Sequence, residues 1–163
     1  MPDTLTRRNM LLMLAALPVA ACGGGRERRQ ARKDRKRGEP PLYPNETPEL
    51  RKLINKYADK NEVPRSLVQR VIVRESTHRP TARNGPNLGL MQIQLPTART
   101  MGYRGNAAGL LDAETNLKYA VKYLRGAYIV ADYDHDKAVQ WYARGYYYEA
   151  KRKGLLKETG LKH

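Results

Sequence analysis

The sequence predicts an all-α fold, a single helical domain that follows a signal peptide and a basic linker. Three observations predict it. From Leu50 onward apolar residues recur at spacings of three and four, the period of a helix with one buried face. Helix-start signals stand at Thr47-Pro48-Glu49, at Asp112 and at Asp134 or Asp136. No alternating strand pattern of any length appears, since Val71-Ile72-Val73 is short and sits inside a helical period.

Thr47 reads as an N-cap with Pro48 at the first helical position, and Leu50, Leu53, Ile54 and Tyr57 give the first apolar stripe. Asn61 and Pro64 end that helix and start another, in which Leu67, Val68, Val71 and Ile72 lead to Glu75 on the apolar face. A third helix starts near Asp112 and carries Leu117, Ala120, Val121, Leu124 and Tyr128 on one side. A fourth begins at Asp134 or Asp136 and runs through Val139 and Trp141 to Gly145. A last helical stretch contains Tyr146 to Lys153 and stops at Gly154. The expectation is five to seven helices over residues 47–154, with at most a minor β-turn and a frayed tail over 155–163.

The chain of 163 residues carries a formal charge of +15 and a pI near 10.1. Where the charge sits decides its meaning. Arg26 to Arg37 set eight basic residues against Glu27 and Asp34, whereas from Gly38 onward 21 basic residues mix with 13 acids along helices. Gly23-Gly24-Gly25 and the basic run have no apolar periodicity, so residues 22–46 are expected to be a disordered tether. Beside a membrane anchor such a tether is drawn to anionic headgroups.

Ahead of it, Arg7 and Arg8 form a basic n-region, and Met10 to Ala21 is too short for the ~20 residues that cross a bilayer. Residues 1–21 therefore read as a signal peptide. Val19-Ala20-Ala21-Cys22 resembles a lipobox, in which the cysteine thiol takes a diacylglycerol, and Cys22 is the lone cysteine. Ordinary secretory cleavage after Ala21 is the alternative, and Arg7-Arg8 leaves a twin-arginine route open beside general secretion. Gly23 after the cysteine favours the outer membrane over inner-membrane retention. Nucleic acid is set aside as a partner, because the leader takes the chain out of the cytoplasm and the densest basic run is the tether.

Glu75 is a carboxylate near the C-terminal end of a helix and on its apolar side. Burial and the negative end of the helix dipole both disfavour its ionised form, so a carboxylic acid near neutral pH is expected. A protonated acid is what cleavage of a glycosidic bond needs, since the leaving oxygen departs poorly until it is protonated. On pattern alone, a helix-end glutamate paired with Arg74 or Arg79 is the better reading.

The run Glu75-Ser76, then Gly89-Leu90-Met91-Gln92-Ile93 and Pro96-Thr97-Ala98, resembles the soluble lytic transglycosylase domain, a relative of goose-type lysozyme. The resemblance continues through Asp112-Ala113-Glu114-Thr115-Asn116-Leu117, similar to a family helix start, to Tyr142, and covers Thr47 to about Gly154. It implies a lysozyme-like helical domain whose substrate is the peptidoglycan glycan strand. It implies Glu75 as the single catalytic acid/base, and no cofactor. Ser76 and Gln92 would orient Glu75 and the substrate's acetamido group, Gly89 and Met91 would shape the groove floor, and Tyr142 would hydrogen-bond Glu75 or sugar. Asn84 stands where the family often has a serine near the glutamate.

Two departures stand out. The family's Ala-Tyr-Asn is replaced by Trp141-Tyr142-Ala143, which removes one amide from the groove. The family's Asn-Pro-x-Ala reads Arg79-Pro80-Thr81-Ala82, and the stretch from Glu75 to Gly89 is about a residue short. A lysozyme-like hydrolase and a non-catalytic peptidoglycan-binding module are the rival readings. No metal site is expected. Asp132, Asp134 and Asp136 imitate a calcium loop, but Lys137 takes its glycine position and Ala143 its closing glutamate. His78, His135 and His163 do not cluster with one another or with Cys22. Of Tyr146, Tyr147 and Tyr148, consecutive on a helix, at least one ring should be core.

Overall fold

The computed structural model describes residues 40–162. The expected signal peptide over 1–21, Cys22 with its Gly23 sorting signal, the tether up to residue 39, and His163 lie outside the described residues.

Helix α1 (Pro48–Lys60) starts where the sequence places it, with Thr47 Oγ1 accepting from the Leu50 N–H at 3.1 Å and Pro48 in the first turn. It buries Leu50, Ile54, Tyr57 and Ala58. Helix α2 (Arg65–Glu75) follows Pro64 and buries Leu67, Val68, Val71 and Ile72, which leaves Glu75 as its last residue. After a short sheet come α3 (Leu95–Thr100), a 3-10 turn over Ala107–Leu111, and α4 (Ala113–Val130). Then follow α5 (His135–Arg144) and α6 (Tyr147–Arg152). Asp112 caps α4 by accepting from the Thr115 N–H at 2.8 Å, and Asp134 caps α5 by accepting from Lys137 at 2.8 Å. Asp132 pairs with Lys153 at 2.7 Å.

The long α4 is the axis of the domain. It packs against α5, α1, α3 and the 3-10 turn, and Leu117, Ala120, Val121, Leu124 and Ala127 on it are fully buried. Six α-helices among the described residues agree with an all-α reading, but the structure adds a sheet that the sequence did not announce. Strands β1 (Arg83–Asn84), β2 (Asn87–Leu88) and β3 (Ile93–Gln94) are antiparallel in that order, with Arg83 opposite Leu88 and Leu88 opposite Ile93. The physical reason is length: two-residue strands contain no full period from which alternation can be read.

Both ends of the domain are longer than expected. Residues 40–46, expected to be the end of the tether, fold back as a strap. Glu46 is buried and accepts from Arg51 Nε at 2.6 Å, Arg51 Nη2 at 2.5 Å, the Tyr43 N–H at 2.9 Å and Gln69 Nε2 at 2.7 Å. Arg51 also donates to the Pro40 and Pro41 carbonyls. The network ends at His78, fully buried, whose Nε2 lies 2.7 Å from Gln69 Oε1 and whose ring stacks on Tyr43. Because the Gln69 amide nitrogen is spent on Glu46, its oxygen must accept, so His78 carries its proton on Nε2. At the other end, the expected frayed tail is a packed turn. Leu155 N–H donates to the Ala150 carbonyl, Thr159 is buried, and Arg125 holds the Glu158 carbonyl at 3.1 Å.

Burial pushes the Glu46 carboxyl up, but the hydrogen bonds from Arg51, Tyr43 and Gln69 and the charge of Arg51 outweigh it, and its pKa falls from 4.5 to about 2. Burial holds His78 below its usual 6.5, and its Nδ1 faces no acceptor that could take a second proton. Both groups bind protons more readily in the unfolded chain, so acid must destabilise the fold. The Glu46 contribution, about 3 kcal/mol at 1.36 kcal/mol per pKa unit, is complete above pH ~4.5 and is lost as pH falls towards ~2. Loss through His78 begins below pH ~6.5. Glu46→Gln is expected to lower unfolding free energy by about 3–5 kcal/mol near neutral pH, since it strands the buried Arg51. Denaturant titrations should show the gap to the parental protein closing as pH drops from ~4.5 towards ~2.

Candidate active site

The end of α2 brings Glu75 to the wall of an open groove of about 360 Å³. Asn87, Gln92 and Gln94 from the sheet region form one side. Tyr123 of α4 and Tyr142 to Gly145 at the end of α5 form the other. Among the described residues Glu75 is the one carboxylate lining the groove, with Arg74 and Arg144 as its cations. Its side chain is 23% exposed. Burial raises its pKa above the ordinary 4.5, against a smaller downward pull from Arg74, whose Nε lies 3.6 Å from Glu75 Oε1. The C-terminal helix end adds a push in the same direction as burial.

Below the groove lies the turn that joins β2 to β3. Gly89 has φ +74°, and its N–H donates to the Ala82 carbonyl at 2.8 Å. A Cβ at Gly89 would meet Asn116 Nδ2 and the Leu110 carbonyl at 2.3 Å, so the position needs glycine for its angle and for its space. Met91 is fully buried and fastened on both sides of its backbone. Its N–H donates to Asn116 Oδ1 at 3.0 Å and its carbonyl accepts from the Tyr142 hydroxyl at 2.8 Å. Asn116, fully buried on α4, completes the joint by donating to the Leu88 and Leu110 carbonyls at 2.8 and 2.7 Å. Gln92 follows at φ +50° and donates through Nε2 to the Ala82 and Gly89 carbonyls, which leaves its oxygen to the groove as an acceptor.

The structure therefore brings Glu75, Gln92 and Tyr142 together and assigns the other expected residues different places. Tyr142 lends its ring to the groove, but its hydroxyl goes to Met91 and not to Glu75; burial, then the charges of Glu75 and Tyr123, raise its pKa well above 10. Ser76 is buried behind α2, with its hydroxyl turned to the Ile72 carbonyl at 3.4 Å. Gly89 and Met91 support the groove from beneath instead of surfacing it. Asn84 is exposed on β1, and the asparagine that lines the groove is its strand partner Asn87, whose Oδ1 accepts from Gln94 at 3.0 Å. The choice between those two asparagines depends on hairpin register, which no local signal in the sequence carries.

Tyr123 was missed as well. It is set edge-on to Tyr142 at 5.5 Å, close to Tyr146 at 4.7 Å, and burial pushes its pKa up to about 12. Its signal was the i, i+3, i+4 series Asn116, Ala120, Tyr123 and Ala127, beside the aliphatic stripe of α4.

Residues 52–160 match the family described as Transglycosylase SLT domain, two thirds of the chain and all of the groove. The protein belongs to the SLT family. No curated relative and no solved structure matches it. The family's enzymes cleave glycans, and this SLT domain keeps Glu75 at the end of a helix above the turn that holds Gln92. It also shows what its departures do. Ala143 puts a methyl group on the groove wall where an amide is usual in the resemblance, and Arg144 beside it adds a cation.

The Asn116 joint sets the shape of the groove floor. Asn116→Ala would leave the Met91 N–H and two carbonyls unpaired in the interior, and is expected to cost about 2–4 kcal/mol of stability. Asn116→Asp, of equal size, should cost a similar amount because it lacks the two donated hydrogens. Thermal unfolding of the two variants tests both statements.

Proposed function

We propose that this SLT domain cuts the β-1,4 bond between N-acetylmuramic acid and N-acetylglucosamine in peptidoglycan and leaves a 1,6-anhydromuramic end. The observation that carries the reading is that Glu75 is, among the described residues, the one carboxylate lining the groove, is half-buried, and has a raised pKa. Glycosidases that use water need two carboxylates flanking the bond. With one, the nucleophile is best supplied by the substrate.

Glu75 in its acid form protonates the glycosidic oxygen as the bond to the anomeric carbon breaks. As a carboxylate it then takes the proton from the muramic 6-hydroxyl, and the 6-oxygen closes on the anomeric carbon. Glu75 ends the cycle protonated, no water is consumed, and the attack gains from being intramolecular. The substrate's acetamido carbonyl would stabilise the positive anomeric carbon, with the Gln92 oxygen placed to accept from the acetamido N–H and the Asn87 amide nitrogen to donate to its carbonyl. Arg74 keeps the carboxylate form within reach for the second half-reaction, since its charge opposes the effect of burial. Ser76 serves by holding the end of α2, and Tyr142 by fixing Met91 and walling the groove.

The expected outcome is that Glu75→Gln lowers release of anhydro-muropeptides from purified sacculi by orders of magnitude, because both half-reactions pass through this carboxylate. Binding to sacculi should persist. Mass spectrometry of the products also separates the anhydro end from a hydrolysed end by one water, so a hydrolase outcome would be seen directly.

Among the described residues no helix is long and apolar enough to cross a membrane. We place attachment instead at Cys22, as a diacylglyceryl anchor at the periplasmic face of the outer membrane, on the strength of the lipobox-like residues before it. Cys22→Ala is then expected to move the protein from the outer-membrane fraction to the soluble periplasm and to abolish its partitioning into detergent. Unchanged partitioning would overturn the anchor.

A further inference from the structure

The groove does not end at Glu75. Past Ala143 its wall continues through Arg144 and Gly145 into a second, open depression of about 410 Å³, floored by Trp141 and by Tyr147 and Tyr148 of α6. Gly145, at φ +85°, turns the chain sharply between α5 and α6. That turn separates the three consecutive tyrosines. Tyr146 points inward, fully buried, with its hydroxyl on the Tyr123 carbonyl at 2.9 Å, whereas Tyr147 and Tyr148 are 49% and 84% exposed. The two outward rings meet edge to face, 5.4 Å apart.

Ordering two adjacent aromatic rings in water has no return within the fold, and an exposed aromatic patch beside a cleft marks a contact surface. The cation next to it is preset. Arg144 lies over the Trp141 indole, 3.9 Å from the ring centroid, and among the described residues no carboxylate lies within salt-bridge distance of it, although Glu149 feels its charge. Its neighbour Arg152, by contrast, is spent on Glu149. A guanidinium held over an indole can still offer N–H donors to a carboxylate.

We propose that this shelf is a second binding site, continuous with the Glu75 groove, for the peptide-bearing part of a glycan strand: Arg144 pairs with a stem-peptide carboxylate, and Tyr147 and Tyr148 stack against a sugar. The inference rests on the glycan-strand reading above. In such a strand the muramic lactyl carboxyl is tied up in the amide to the peptide, so the sugars are uncharged and the anionic groups are the carboxylates of the stem peptides. An arginine beside an aromatic surface therefore distinguishes peptide-substituted strands from strands that carry no carboxylate. The charge agrees, since the groove and shelf together hold Arg74 and Arg144 against Glu75, with Glu149 already neutralised by Arg152.

The test uses the full chain in the non-cleaving Glu75→Gln background, bound to intact sacculi and to glycan strands stripped of peptides by an amidase, with the lactyl carboxyls so freed capped as methyl amides. Intact material is expected to bind about tenfold tighter, the size of one charge-assisted hydrogen-bonded pair. Adding Arg144→Gln should abolish most of that preference, and Arg144→Lys should restore only part of it. Tyr148→Ala, at a site too exposed to disturb folding, should weaken binding to both materials several-fold. Equal binding of intact and stripped strands, or a preference that survives Arg144→Gln, overturns the proposal. Anhydro-muropeptide release by the parental protein is scored separately. Release without the preference overturns the shelf alone, preference without release overturns the catalytic reading alone, and failure to bind sacculi at all overturns both.

Discussion

The site depends on one buried amide. Asn116 sits fully enclosed on α4 and uses its oxygen and both hydrogens to tie three separate pieces of chain, at Leu88, Met91 and Leu110, to the central helix. Each of those backbone groups would otherwise be unpaired in the interior, at a cost of about 1–3 kcal/mol apiece. The joint explains Gly89, whose missing side chain makes room for the amide, and it explains Met91, held from one side by Asn116 and from the other by Tyr142. Only with that turn pinned does Gln92 have a defined place opposite Glu75. The groove is thus a surface consequence of a polar contact in the core.

Two glutamates show how far one fold can push the same group in opposite directions. Burial raises both, yet Glu46 is surrounded by Arg51, Gln69 and a backbone N–H and ends near 2, whereas Glu75 has Arg74 alone, at 3.6 Å, and stays above its ordinary value. The difference is the number of donors, not the depth. The well-paired carboxylate keeps its charge until pH falls towards ~2. The one left nearly unsatisfied at the groove wall is protonated far more readily.

The helices were legible in the sequence because their information is local. Thr47, Asp112 and Asp134 each cap the helix whose start they mark, and the apolar stripe after Pro64 does leave Glu75 on the inner face. What was not legible is set by pairings distant in the chain. The strap joins Glu46 to Gln69 and His78, the groove asparagine is Asn87 by register, and the Tyr142 hydroxyl finds a carbonyl 51 residues away. The motif of residues 89–92 lies at the groove, but Met91 and Gly89 were read as its floor when the buried Asn116 makes them scaffold beneath it. The sequence carries residue types there, and the direction in which each points is decided by packing.

The strap also has a mechanical meaning. Thirty-nine residues precede it, and its Asn45 touches the Thr77 carbonyl two positions from Glu75, so the chain enters the domain beside the loop that follows Glu75. A pull applied through that leading segment, from any anchorage upstream, does not reach the loop directly. It loads first the Pro40 and Pro41 carbonyls held by Arg51, and through Arg51 the Glu46 clamp, where a two-pronged arginine contact and two further hydrogen bonds hold the strap. The buried network works as a strain relief between the leading chain and the groove.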